Sequence, residues 1–181
     1  MTAAVIILDM ARGYGWEPGS FGYEMVARVR RLKDAAHAAG VQVLHVHSMR
    51  RPSDNLPEHS TMLAGTSGLE VIPELQPIDR DIVIYKRYLS GFSYNDLDYT
   101  LRTMGVDTVL IAGASTDNTV LWTAADAHQH RYRVVAVDDC CMVHRQAEPA
   151  GAHEGAMRII RNVLKAEILT LDEVVPKYLS R

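Results

Sequence analysis

An acidic, a basic and a hydroxyl side chain stand where one fold can bring them together. Asp9 and Lys86 each follow a short apolar run, and Thr119 ends the segment Gly-Ala-Ser-Thr-Asp-Asn-Thr, which follows a third such run. In an open α/β sheet, ligands bind beyond the carboxyl ends of the strands, where helix N-termini also point. If the three runs are strands of one sheet, an acid, a base and a nucleophile position meet there. Such a set can transfer protons and attack an electrophilic carbon.

Each of these residues also has a purely structural explanation. Asp9 and Lys86 can form an ordinary ion pair at the sheet edge. Thr119 can cap or pack the start of a helix. Their positions alone do not separate these roles from a catalytic one.

The alternation of apolar runs with segments of helical period is typical of βαβ units around a parallel sheet. We predict an α/β fold in one domain over residues 1–181, with a parallel sheet of about six strands and helices on both faces. The predicted strands are 3–8, 41–47, 81–85, 108–112, 133–137 and 167–169. Apolar residues recur at helical spacing from Met25 to Ala39, and Gly40 follows as a left-handed C-terminal cap. Further helices are predicted at 95–104, 118–129, 151–164 and 171–178.

Composition excludes several classes of function. The net charge is −3, with 19 basic and 22 acidic residues, and no basic stripe suits a nucleic acid. The chain begins without a basic leader and contains no apolar stretch near the ~20 residues that span a bilayer. We therefore expect a cytoplasmic protein without a nucleic-acid or membrane partner.

Two other groups of residues offer alternatives. His45 and His47 lie two apart at the end of a predicted strand and could bind a metal with His59 or Asp54, although histidines there are commonly structural. The irregular stretch 48–77, which contains four of the seven prolines, is a long loop of the kind that often covers active sites. We expect neither a metal nor another cofactor.

The two cysteines are adjacent, so a structural disulfide between them is not expected. Cys141 either packs in the core or supplies a nucleophile from the end of the fifth strand, and packing is the more common role of a free cysteine.

Four segments together resemble the isochorismatase-like hydrolases, also called the cysteine hydrolase family. This family includes nicotinamidases, N-carbamoylsarcosine amidohydrolases and isochorismatases. The resemblance covers nearly the whole chain and rests on the order and spacing of residues 6–10, 84–92, 113–127 and 132–140. It implies a parallel sheet of about six strands flanked by helices, in agreement with the alternation described above.

In amide-cleaving members, an aspartate, a lysine and a cysteine form the catalytic set, and these positions correspond to Asp9, Lys86 and Thr119. There the aspartate takes the thiol proton, the lysine holds the aspartate charged, and the thiolate attacks a carbonyl carbon. A threonine hydroxyl is a far weaker acid than a thiol, which has a pKa of about 8.5. We therefore expect Thr119 not to act as a nucleophile. The family also implies a cis peptide bond between Ala114 and Ser115, with the amides of Ser115 and Thr119 as oxyanion donors.

The resemblance leaves the bond that is cleaved open. Isochorismatases lack the cysteine and protonate an enol ether with the aspartate, so Asp9 would then be a general acid. A substrate of that kind carries carboxylates and would need arginine partners, for which the candidates are Arg50, Arg51 and Arg87. The segments around Lys86 and Cys140 look more like those of carbamoyl or amide hydrolases.

We expect a small-molecule substrate and a pocket wall formed by aromatic side chains, which are Tyr14, Trp16, Tyr88 and Phe92. Family members are commonly oligomers, so a homo-oligomer is expected, and Trp122 faces either the core or a neighbouring subunit. The rival hypothesis is a non-catalytic protein of the same fold that binds a ligand or acts as a scaffold.

Overall fold

A computed structural model describes residues 1–54, 61–144 and 150–180. Six parallel strands form one sheet in the order β3-β2-β1-β4-β5-β6. The strands are β1 (Ala3–Leu8), β2 (Gln42–Ser48), β3 (Ile82–Lys86), β4 (Thr108–Ala114), β5 (Arg133–Met142) and β6 (Glu167–Leu169). The helices are α1 (Glu24–Ala39), α2 (Leu97–Thr103), α3 (Leu121–Gln129), α4 (Ala152–Asn162) and α5 (Leu171–Tyr178). The predicted parallel α/β fold is confirmed.

The central strands are buried on both faces because helices cover the sheet on each side. Val5 and Ile7 of β1 pack in a cluster with α1 and α5. Ile6 and Leu8 point to the opposite face and pack with residues of α2, α3 and α4. This arrangement explains why β1 and β4 are continuous apolar runs in the sequence.

The strand order reverses between β1 and β4, which are neighbours in the sheet although two strands lie between them in the chain. Gly113 lies at this junction with a φ of +114°, and a Cβ there would come within 2.1 Å of the Leu8 carbonyl oxygen. Only glycine therefore allows the two strands to approach so closely. The reversal opens a crevice at the carboxyl ends of β1 and β4.

One departure from the predicted elements precedes α3. We predicted a helix from residue 118, but α3 begins at Leu121 and a π-helical turn occupies Thr116–Val120. The Val120 amide donates to the Ser115 carbonyl five residues earlier, so this turn is wider than an α-helical turn.

Other differences also have local causes. The helix predicted at 95–104 starts at Leu97 because the Asn95 side chain accepts the Leu97 amide at 3.1 Å. The fifth strand extends to Met142, beyond the predicted end at 137, because pairing with β4 resumes after a register shift between Ile111 and Gly113. In the described part of the chain, no helix is both long and apolar enough to cross a membrane.

Candidate active site

Asp9 directly follows β1 and has an unusual backbone conformation. Its φ is +55°, a left-handed value that aspartate tolerates better than most residues. Its amide donates to the Val46 carbonyl at 3.0 Å, and its own carbonyl accepts the Trp16 indole N–H at 3.0 Å. These two bonds hold the Asp9 backbone at the carboxyl edge of the sheet.

The Asp9 carboxylate is buried and accepts four polar contacts. Its Oδ1 lies 2.9 Å from the Tyr14 hydroxyl and 3.1 Å from the Ser48 amide. Its Oδ2 lies 3.0 Å from Lys86 Nζ and 2.8 Å from Thr119 Oγ1. The ammonium and the amide can only donate, so both carboxylate oxygens act as acceptors here.

Lys86 is the last residue of β3, and its side chain is 2% exposed. Besides Asp9, its Nζ donates to Ser48 Oγ at 3.0 Å and to the Tyr88 carbonyl at 3.2 Å, so each of its three protons has an acceptor. Burial lowers the pKa of Lys86, and the charge of Asp9 opposes this change. Burial, followed by the charge of Asp9, raises the pKa of Tyr14, which keeps this phenol protonated as a donor.

Thr119 lies in the π-helical turn Thr116–Val120 and is buried. The peptide bond between Ala114 and Ser115 is cis, as the family resemblance implied. The hydroxyl of Thr119 donates to Asp9, so the turn brings the expected nucleophile position against the expected acid or base. Thus Asp9, Lys86 and Thr119 are in direct contact although they are far apart in the chain.

A pocket of about 270 Å³ opens onto these three residues. The other predicted site residues that line it are Tyr14, Arg50, Tyr88, Ala114 and Ser115. It is also lined by Ser48, Leu89, Asn118 and His144, which sequence reasoning did not select. Ser48 follows the same rule that selected Asp9 and Lys86, because it ends the strand between theirs in the sheet.

Three predicted site residues lie elsewhere in the structure. Trp16 is buried behind Asp9, where its ring stacks on His144 with ring centroids 3.8 Å apart. Phe92 packs toward Tyr132. Arg87 Nη2 donates to both carboxylate oxygens of Asp54, at 2.8 and 2.6 Å. These side chains are not among the residues that line the pocket.

Arg51 is exposed, and Trp122 on α3 is 51% exposed. Of the two alternatives for Trp122, the structure excludes the core of its own chain.

The metal alternative does not form among the described residues. No group of three or more histidine, cysteine, aspartate or glutamate side chains in the described ranges is placed to hold a metal ion. His47 Nε2 donates to the Leu69 carbonyl at 2.9 Å, and Asp54 is paired with Arg87. His59 lies outside the described residues.

Both cysteines are free and buried. Burial raises the pKa of Cys140 to about 12 and also raises that of Cys141. The Cys141 thiol contacts the Ile111 carbonyl at 3.6 Å. A buried thiol with a raised pKa is not a nucleophile, so packing explains Cys141.

The fold and the pocket define a parallel α/β protein with a buried acid–base pair at its topological switch point. Comparison with known proteins extends this class to a family. The Isochorismatase domain matches residues 3–173. This chain therefore belongs to the isochorismatase family, and its structure has the isochorismatase-like fold.

Individual relatives agree with this assignment. The chain is 30% identical to a ureidoacrylate amidohydrolase of Acinetobacter baylyi, over 87% of this chain and 76% of the relative. It is 29% identical to a maleamate amidohydrolase of Pseudomonas putida, over 83% of this chain and 76% of the relative. The crystal structure of an N-carbamoylsarcosine amidase from Thermoplasma acidophilum superimposes with a TM-score of 0.80 at 28% identity, covering 96% of this chain and 98% of that one.

Proposed function

We propose that this chain hydrolyses the C–N bond of a small amide or ureido compound. The observation that carries the proposal is the position of Asp9 Oδ2, which lies 3.0 Å from Lys86 Nζ and 2.8 Å from Thr119 Oγ1 beside a pocket. One oxygen thus contacts both the cation that balances its charge and the residue at the family's nucleophile position. Three relatives are named for C–N hydrolysis, which favours this bond over an enol ether.

In the proposed reaction, Asp9 acts as a general base toward a water molecule. The water oxygen bonds to the carbonyl carbon while its proton passes to Asp9, and the carbonyl becomes a tetrahedral oxyanion. The amides of Ser115 and Thr119 are the proposed oxyanion donors. The C–N bond then breaks, and Asp9 returns the proton to the leaving nitrogen. Lys86 remains protonated throughout and stabilises Asp9 in its charged form.

Thr119 is proposed to orient Asp9 rather than to attack the substrate. Its hydroxyl is a much weaker acid than a thiol, so a carboxylate would remove its proton with difficulty. Its second Cβ substituent also restricts the side chain near an electrophile. The hydrogen bond to Asp9 Oδ2 is sufficient reason for a hydroxyl at this position.

We further propose that the substrate carries a carboxylate, which Arg50 binds. Arg50 lines the pocket, and its Nη1 donates to the Arg87 carbonyl at 2.9 Å. Arg87 forms an ion pair with Asp54, so the carbonyl that accepts from Arg50 belongs to a residue that is itself held in place. A guanidinium matches a carboxylate in charge and in hydrogen-bond geometry. The names of two relatives, ureidoacrylate and maleamate amidohydrolase, denote carboxylate-bearing substrates.

Proton NMR of the purified protein with a panel of ureido acids, amide acids and enol ethers tests the proposal. We expect the native protein to release ammonia or an amine from an amide or ureido acid, and the Asp9→Asn variant to leave the panel intact. Hydrolysis of enol ethers alone would contradict the proposed bond.

A second candidate function is non-catalytic ligand binding, and the threonine at position 119 is the observation that favours it. A Thr119→Cys variant separates the two functions. If the native protein binds panel members without turnover and Thr119→Cys hydrolyses an amide, the pocket fits amides and the native chain is a binding protein. If the native protein turns over an amide and Thr119→Ala retains that activity, the water mechanism stands.

A further inference from the structure

A chain of three polar side chains lies behind the candidate active site and outside its pocket. Thr116 Oγ1 is 2.9 Å from His153 Nδ1, and His153 Nε2 is 3.1 Å from Asp138 Oδ1. Thr116 begins the π-helical turn Thr116–Val120, His153 lies in the first turn of α4, and Asp138 belongs to β5. Three separate elements are therefore joined by two hydrogen bonds, which we term the Thr116 network.

The direction of the hydrogen bond between His153 and Asp138 follows from the chemistry of its acceptor. An ionised carboxylate such as that of Asp138 only accepts, so His153 Nε2 carries a hydrogen and donates it. The second hydrogen bond joins His153 Nδ1 to the hydroxyl of Thr116. Thr116 is fully buried. Its hydroxyl has no access to solvent, and the bond to His153 satisfies it.

The Thr116 network is attached to the π-helical turn that carries Thr119. The amides of Asn118 and Val120 both donate to the Ser115 carbonyl. These two hydrogen bonds hold the later residues of the turn to the residue that precedes it. Thr119 and Asn118 line the pocket, and Thr119 Oγ1 contacts Asp9 at 2.8 Å. A shift of Thr116 would therefore move Thr119 relative to Asp9.

We propose that His153 is a positioning residue for the active site. Its hydrogen bond to the Thr116 hydroxyl holds in place the turn that carries Thr119. The expected effect of His153 on activity rests on the proposed function, but the effect of His153 on the turn is independent of any substrate. His153 touches neither the pocket nor the reacting atoms, so it is not a catalytic residue. A merely structural histidine at the start of α4 would instead stabilise the molecule as a whole.

Amide hydrogen exchange followed by NMR tests the proposal without a substrate. In His153→Ala, we expect the amides of Asn118 and Val120 to exchange at least about tenfold faster, a change of about 1.4 kcal/mol, while the amides of β1 are unchanged. Thr116→Val should reproduce this increase, and the double variant should add nothing, because both substitutions remove the same bond. Thr116→Ser keeps the hydroxyl and should resemble the native protein. His128→Ala, which changes an exposed histidine on α3, is the matched control.

Unchanged exchange at Asn118 and Val120 would overturn the proposal, as would an equal increase across the sheet. Kinetics provide the second readout once a substrate is known. We expect His153→Ala to lower kcat about tenfold with little change in KM, whereas a purely structural role would alter only the melting temperature. If the native protein turns over no substrate, the proposed function fails, and the exchange data still decide the role of His153.

Discussion

Two buried clusters of charged and polar side chains lie at different places in the same sheet. The Asp9 cluster consists of Asp9, Lys86, Ser48, Thr119 and Tyr14, at the carboxyl ends of the strands. The Asp81 cluster consists of Asp81, His37 and His45. Asp81 directly precedes β3, and its Oδ1 lies 2.8 Å from His37 Nε2 while its Oδ2 accepts the Ile78 amide at 3.0 Å. His45 Nε2 stands 3.8 Å from Asp81.

Each cluster contains a carboxylate side chain shielded from bulk solvent, but the clusters differ in access. The pocket of about 270 Å³ opens onto Asp9, whereas the Asp81 side chain is 0% exposed and joins α1 and β2 to the loop before β3. The comparison shows that a buried acid–base cluster is not in itself evidence of catalysis. A reacting group also needs space for a substrate beside it.

The largest expected effect concerns Asp9. Asp9→Asn keeps the shape of the side chain but cannot take a proton, so we expect turnover of the amide substrate to fall about 1000-fold. Steady-state assays of the folded variant measure this loss, with circular dichroism as the check on folding. Retention of more than about a tenth of the native rate would remove Asp9 from the role of general base.

Arg50→Gln should raise KM for a carboxylate substrate by about 10- to 100-fold, because a charge-assisted hydrogen bond contributes about 1.5–3 kcal/mol. We expect kcat to change little, since the carboxylate is bound equally in the ground and transition states. Arg51→Gln, at the exposed neighbouring arginine, is the control and should leave KM unchanged. A similar KM in both variants would contradict the assignment of Arg50.

Asp81→Asn should lower the free energy of unfolding by about 2 kcal/mol, because the single amide oxygen cannot accept both hydrogen bonds that the carboxylate forms with His37 and the Ile78 amide. Activity per folded molecule should stay at the native level. Urea denaturation and kinetics measure the two quantities, and Asp79→Asn, at an exposed neighbour, is the control. Loss of turnover in folded Asp81→Asn would break the distinction between the clusters.

The smallest effect concerns His47, which lies on β2 between the clusters. Burial lowers its pKa from 6.5 to about 4. The neutral form is therefore favoured in the folded state, so this contribution to stability is complete above pH 6.5 and is lost as the pH falls toward 4. Between pH 6.5 and about 5.5, the loss should be about 1 kcal/mol.

His47→Gln removes this titration and retains an N–H for the Leu69 carbonyl. Urea denaturation at the two pH values should show a smaller loss of stability in the variant than in the native protein. An identical loss in both would assign the pH dependence to other groups, of which buried His45, whose pKa burial also lowers, is the first to examine.

Much of the fold could be predicted because its signals are local. The bounds predicted for α5 and β6 match the structure, and the left-handed cap at Gly40 is present. The start of α3 could not be predicted, because a π-helical turn depends on the bond from Val120 to the Ser115 carbonyl. That bond depends on how the loop after β4 leaves the sheet.

The candidate site was predictable in part. Asp9 and Lys86 were found because residues at the carboxyl ends of parallel strands meet at one edge. Trp16, Phe92 and Arg87 are close to that edge in sequence, yet their side chains turn into the core or toward Asp54. His144 was missed because no local pattern marks a residue that reaches the pocket from beyond β5.

The sequence by itself determined the class of the fold, the family and the two charged residues of the Asp9 cluster. Hydrophobic periodicity and short motifs carry this information, because both are local features of the chain. Tertiary structure alone decided which side chains line the pocket, which of the two buried clusters a substrate can reach, and which residues hold the turn that carries Thr119. These features depend on strand order and side-chain direction. Both are set by packing between residues that are distant in the chain, as with Thr116, Asp138 and His153.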